Sequence, residues 1–239
     1  RPKRMRTGAD RVKKFLRPVA LALAAALTLS TPAAAVPGDA MNIGAGTWTG
    51  TGGRQWIRFG EHLWRVLKVN VREGRKEALL LAEEPVAERP FDGGDNDWKT
   101  SDIRKWLNED FYNGAFSESE RAAILVTDYR YGGLNEGSDK TDSSKIFLLS
   151  YDDAGNEKYF AGRGDRVAYR NGDTADWWLR SPGWDADKAA IVDYNGVLDS
   201  NYPVNHRPAF TVRPALTVNL LSPIFTSVSS EYEVLYDLR

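Results

Sequence analysis

The sequence predicts a single α+β domain, with antiparallel strands at both ends and two short helices in the middle. Three observations carry this expectation. Aromatic and β-branched residues crowd positions 55–82, capped helical spacing covers 100–124, and strand and turn signals fill the last third. Strands and helices that segregate along the chain argue against an alternating parallel sheet.

Residues 55–60 and 62–70 read as two strands joined at Gly60-Glu61. Trp56, Ile57, Phe59, Leu63, Trp64, Val66, Leu67 and Val69 supply the bulk that a pleated, half-buried surface favours. A third strand covers 77–82, and 89–99 reads as a polar loop. Thr100-Ser101-Asp102 caps a helix over 102–112, with Ile103, Trp106, Leu107 and Phe111 at helical spacing. Ser117-Glu118-Ser119-Glu120 has the capping-box form and opens a second helix over 118–124. Short strands follow at 124–128 and 145–149, separated by a polar loop at 132–144. The last third begins with a strand at 176–181, closed by Pro182-Gly183. Strands at 188–194 and 197–201 flank Asn195-Gly196, a strong hairpin signal. A final strand region spans 207–220, interrupted by Pro208 and Pro214.

The first 35 residues have a different character. Eight basic residues and one acid fall in 1–17, an apolar run of roughly 12 residues follows, and Ala33-Ala34-Ala35 closes the segment. This is the pattern of a signal peptide cut after Ala35, and the run is short of the roughly 20 residues that span a bilayer. The expected location is therefore secreted, periplasmic or cell-surface. Residues 36–53 form a Gly- and Thr-rich flexible lead-in, 54–220 the globular domain, and 221–239 a tail or the start of a downstream linker. Without residues 1–35, the 32 basic and 33 acidic residues become 24 against 32. An acidic chain without clustered cations is not expected to bind nucleic acid. Cysteine is absent, which excludes thiol catalysis, disulfides and cysteine-ligated metals.

Three segments carry a resemblance. They are Trp177-Trp178-Leu179-Arg180-Ser181-Pro182-Gly183, the hairpin Val192 to Val197 through Gly196, and Val212-Arg213-Pro214-Ala215-Leu216. Upstream it continues in Ile57 to Gly60, Trp64 to Leu67, and Trp98 to Asn108. Over roughly residues 54–220 the chain resembles a bacterial extracellular domain family of unknown function. The order of tryptophan strand, hairpin and closing Arg-Pro strand is also similar to a C-type-lectin-like fold. The resemblance implies an architecture and an extracellular address, and no activity. Arg207-Pro208-Ala209-Phe210 is a near-copy of Arg213-Pro214-Ala215-Leu216, and either copy could take the closing position.

Trp177, Trp178, Arg180 and Arg213 read as framework, the arginines pairing with acids such as Asp176 or Asp193. The candidate ligand-binding residues are Trp184, Asp185, Asp187, Tyr194, Asn195, Asp199, Asn201, Tyr202 and Asn205. They lie on polar, aromatic-bearing connections between strands, where a rigid scaffold concentrates recognition. Asp92, Asp95, Asn96 and Asp97 offer oxygen ligands for Ca²⁺ without the spacing of a calcium loop, so no cofactor is expected. No hydrolase elbow, phosphate loop or dinucleotide fingerprint is present. The residues favour a non-catalytic module for an extracellular glycan or protein. A carboxylate-pair glycan hydrolase and a structural spacer of a larger surface protein are the alternatives.

Overall fold

The computed structural model describes residues 55–132 and 140–226. Four strands open the described chain: β1 (Trp56–Phe59), β2 (His62–Arg72), β3 (Arg75–Ala82) and β4 (Ala87–Glu88). Next come α1 (Asp102–Trp106), a π-helical segment (Leu107–Phe111), α2 (Tyr112–Ala115) and α3 (Glu118–Ala123). Short strands β5 (Ile124–Leu125), β6 (Thr127–Arg130), β7 (Thr141–Ser144) and β8 (Ile146–Phe147) lead to α4 (Tyr151–Gly155) and α5 (Arg163–Arg166). The remainder is β9 (Ala168–Arg170), β10 (Asp173–Ala175), β11 (Trp177–Pro182), β12 (Lys188–Val192), β13 (Leu198–Pro203), β14 (Thr211–Val212), β15 (Ala215–Asn219) and α6 (Pro223–Thr226).

Two sheets organise these elements. The six-stranded sheet runs β1-β2-β3-β15-β5, with β8 also pairing β15, and is antiparallel throughout. The second runs β13-β12-β11-β14-β4, with β11 and β14 parallel. Small ribbons β6–β7 and β9–β10 stand beside them. The chain is thus a mostly antiparallel single domain with short helices. The helices are not confined to the middle, because α4, α5 and α6 lie outside it.

The β1–β2 turn shows how sequence and packing combine. Gly60 has φ +60, and a Cβ there would meet the Ala115 carbonyl at 2.5 Å. Its N–H donates to Glu120 Oε1 at 2.8 Å, while Oε2 accepts from Ser117 N at 2.6 Å. The capping box of α3 therefore also ties down the first turn.

Four fully buried tryptophans anchor the core, and each indole N–H reaches an oxygen. Trp64 donates to the Phe59 carbonyl at 2.8 Å, Trp98 to Tyr129 Oη at 3.0 Å, Trp177 to the Arg166 carbonyl at 3.0 Å and Trp178 to the Arg89 carbonyl at 2.8 Å. Trp177 and Trp178 sit on opposite faces of one strand, and both are buried. A buried indole without a partner is costly, so these bonds fix loops to strands as well as filling space.

The two framework arginines are buried too, but their partners differ from the expected ones. Arg213 Nε donates to the Ala82 carbonyl at 2.8 Å, its Nη2 lies 3.7 Å from Glu83 Oε2, and its guanidinium stacks 5.1 Å from the Trp177 ring. Arg180 donates to the carbonyls of Arg130 and Leu148 at 2.9 and 2.6 Å and pairs with Asp153 at 2.9 Å. The acids are Glu83 and Asp153, and not Asp176 or Asp193. Neither is close in sequence to its arginine, so spacing gives no hint of the pairing.

Other local expectations change as well. The segment 89–99 buries Phe91 and Trp98 completely, and 132–144 contains β7. The helix expected over 102–112 widens to a π turn at 107–111, where Asn108 is engaged by β8. The expected tail contributes α6, whose Phe225 ring lies 5.7 Å from Phe59. Of the two near-copies, Arg213-Pro214 leads into the six-stranded sheet, while Arg207 is exposed. The signal segment, the lead-in and residues 227–239 lie outside the described residues.

Candidate ligand-binding site

Six of the nine predicted binding residues lie at the two ends of the β12–β13 hairpin, and the other three lie along β13. Lys188 pairs with Pro203 at one end and Val192 with Leu198 at the other, next to the Asn195-Gly196 turn. Trp184, Asp185, Asp187 and Asn205 belong to the first end, and Tyr194 and Asn195 to the second. All six are exposed, Trp184 at 72% and Tyr194 at 54%. The first group is held by backbone: the Asp185 carbonyl accepts from Asn96 Nδ2 at 2.8 Å, and Val204 N donates to the Asp187 carbonyl at 2.9 Å.

Asp199, Asn201 and Tyr202 lie along β13 between these ends. The Asp199 carboxylate accepts from Asn201 N at 3.0 Å. The Tyr202 ring packs on Phe210 at 5.1 Å and near His206 at 6.0 Å, and His206 stacks on Phe210 at 4.3 Å. Burial and the charges of Asp199, Asp176 and Asp193 raise the Tyr202 phenol, so it stays protonated. Asp176, expected only as an arginine's partner, and His206, which was not among the candidates, lie beside Tyr202. Asp176 is itself raised, by burial first and by the charge of Asp193, although the Tyr194 N–H donates to its Oδ1 at 3.0 Å.

The acid-rich loop considered for Ca²⁺ is internally bonded. Asp92 Oδ1 accepts from Gly94 N and Asp95 N, its Oδ2 accepts from Asp102 N, and Asp97 pairs with Lys140 at 3.0 Å. Among the described residues, no group of three His, Cys, Asp or Glu is arranged to hold a metal ion.

A concavity lies elsewhere, on the solvent face of the six-stranded sheet. It is a groove of about 570 Å³. Strand register explains its floor, because residues two apart share a face. Lys68, Leu79, Thr217 and Leu125 form one row across β2, β3, β15 and β5. Asn70 and Glu77 form the next row, and Arg72 and Arg75 a third beside the Glu73-Gly74 turn. The ribbon strand β6, Tyr159 and the Arg180–Asp153 pair form the wall. Arg180 stacks 4.9 Å from the Tyr129 ring, which makes that wall rigid. Burial, followed by the charge of Asp153, raises the Tyr159 phenol. Thr127 Oγ1 lines the groove, is shielded from solvent, and has no hydrogen-bond partner in the structure.

None of the floor residues was singled out from sequence. A signal was present: Lys68, Asn70 and Arg72 alternate with Val69 and Val71, the pattern of a strand with one wet face. Missing was the knowledge that β15 and β5 extend this face and that β6 walls it.

Fold and groove together define a mixed, mostly antiparallel domain whose open, polar cleft sits on a sheet face. A family model described as a domain of unknown function, DUF6273, matches residues 76–220, and the chain belongs to that family. The match begins within β3, so β1 and the whole of the groove-lining strand β2 precede it. No curated protein and no solved structure matches the chain.

Proposed function

We propose that this chain is an exported, non-catalytic binding module whose groove on the six-stranded sheet takes an extended polar ligand outside the cell. The observation that carries the reading is the groove: about 570 Å³, floored by in-register rows of Lys, Arg, Asn, Glu and Thr and walled by aromatic rings. Short polar groups set among apolar ones on a rigid scaffold suit recognition of a polar chain. Export is supported by the composition of residues 1–35. The reading includes a C-type-lectin-like arrangement, supported by the order of the tryptophan strand β11, the β12–β13 hairpin and the Arg213-Pro214 entry into β15. The exposed hairpin ends, with Trp184 and Tyr194, are a second surface that such a module offers to a protein neighbour.

The test is an array of soluble glycans and peptides probed with the wild-type domain and with Thr217→Tyr, which places a ring over the Lys68–Leu79–Thr217–Leu125 row of the floor. Binding that Thr217→Tyr abolishes supports the groove. Binding that it leaves intact, but that Tyr194→Ala or Trp184→Ala abolishes, moves the site to the hairpin ends. Turnover of a bound glycan that falls with a carboxylate substitution defeats the non-catalytic reading.

A further inference from the structure

Three cations that line the groove, Lys68, Arg72 and Arg75, make no ion pair among the described residues. Arg72 and Arg75 are directly opposite each other across β2 and β3, both exposed. Like charges directly opposite in an antiparallel pair destabilise it. Among the described residues, neither arginine has an acidic partner within salt-bridge distance, and neither does Lys68, two rows away on the same face. Yet residues 36–239 carry 24 basic residues against 32 acidic ones. Three unpaired cations on one face of an acid-rich chain are complementary to an anion.

Resting on the groove reading above, we infer that the ligand is a carboxylate-bearing polysaccharide. The three rows span two repeats of the strand pleat, roughly 13 Å, so Lys68 lies at one end of the floor and the arginine pair at the other. Arginine presents a planar fork that matches a carboxylate two-pronged, and two such forks side by side hold one or two carboxylates. Between the charged ends lie Asn70 and Glu77, with Thr217 in the Lys68 row and Thr127 and Asp128 on the wall. This set mixes donors and acceptors, as a run of sugar hydroxyls requires. Glu77 and Asp128 accept from hydroxyl groups, which a polysaccharide supplies on every ring and a polyglutamate chain lacks. A face, unlike a sheet edge, offers no backbone ladder to a peptide strand.

The experiment is calorimetric titration of the whole chain with polygalacturonate, with its fully methyl-esterified form, and with poly-L-glutamate. Polygalacturonate is expected to bind, and Arg72→Gln and Arg75→Gln each to weaken it about tenfold. Added salt is expected to weaken it too. Both variants are expected to melt at or above the wild-type temperature, because each relieves the like-charge pair. Equal affinity for the esterified polymer, lost in Thr217→Tyr but unchanged in the arginine variants, overturns the acidic ligand and keeps the groove. Tighter binding of poly-L-glutamate overturns the polysaccharide class. Failure of all three probes overturns the inference, and an array on which Thr217→Tyr changes nothing overturns the groove itself.

Discussion

Arg65 and Glu83 form a two-pronged ion pair across neighbouring strands, Nε to Oε2 at 2.9 Å and Nη2 to Oε1 at 2.8 Å. Arg65 is buried, Nη1 of the same guanidinium donates to the Asp165 carbonyl at 2.9 Å, and Arg213 approaches Glu83 from the other side. One carboxylate therefore serves two buried cations. Its loss leaves both with less compensation, which is the costly way to break a buried pair.

Glu83→Gln is accordingly expected to destabilise the domain by about 3 kcal/mol at neutral pH, read from urea unfolding. Its pH dependence has a definite sign. Burial alone pushes the Glu83 carboxyl up, but the Arg65 hydrogen bonds and the charges of Arg65 and Arg213 outweigh it and hold the group below 4.5. A lowered folded value means that the stabilisation is fully present above the unfolded value and is lost as pH falls through the folded one. The acid limb of the wild-type stability curve is expected to be steeper than that of Glu83→Gln. Parallel curves would refute this.

Asp176 has the opposite sign. Burial and the neighbouring Asp193 raise its carboxyl, so the folded state holds its proton more tightly than the unfolded chain does. Stabilisation from such a group is present at low pH and lost as pH rises through the raised value. Asp176→Asn keeps the Oδ1 that accepts from Tyr194 N. It is expected to raise the melting temperature at neutral pH, with the gain vanishing in acid; a loss at neutral pH would contradict the assignment.

Asn108 joins the helical segment to β8 through every polar atom of its side chain. Nδ2 donates to the carbonyls of Arg104 and Ile146 at 3.0 and 2.8 Å, and Oδ1 accepts from Lys145 N and Ile146 N at 3.2 and 3.1 Å. Asn108→Ala takes the Oδ1 acceptor from the Lys145 and Ile146 N–H groups and is expected to cost about 2 kcal/mol in urea unfolding. Asn108→Asp keeps the acceptor but sets a carboxylate oxygen against the Arg104 and Ile146 carbonyls, and is expected to cost at least as much at neutral pH.

Gly196 turns the β12–β13 connection at φ +76, and a Cβ would lie 2.0 Å from the Arg163 carbonyl. Strain and overlap combine, so Gly196→Ala is expected to cost more than about 2 kcal/mol. Its carbonyl also accepts from Arg166 Nε at 2.8 Å, so α5 should loosen, read as faster amide exchange at Arg163–Arg166.

How far the sequence reveals this depends on whether a feature is local. The Ser117–Glu120 box, the Asn195-Gly196 turn and the strands at 56–82 are legible because caps, turns and alternation act within a few residues. The burial of Trp177 and Trp178 is legible from bulk on a strand. Illegible were contacts made across the chain: Glu83 with Arg213, Asp153 with Arg180, Asn108 with β8. The helices α4 and α5 are too short for periodicity to show. The groove was missed for the same reason, since its floor is assembled from strands at opposite ends of the described chain. The candidate loop residues were chosen for polarity, and their separation at the two ends of one hairpin follows from register that no loop encodes.

The position of β15 sets the order in which the molecule can be built. It is flanked by β3 on one side and by β5 and β8 on the other, and its neighbour Arg213 reaches back 131 residues to Ala82. A polypeptide emerging from its N-terminus can form the opening meander early but cannot close the main sheet until almost the last described residues arrive. Such distant pairing makes for slow folding. A chain cut before Ala215 would lose the middle of the sheet and not merely an edge, leaving two open seams where the intact protein has a continuous surface.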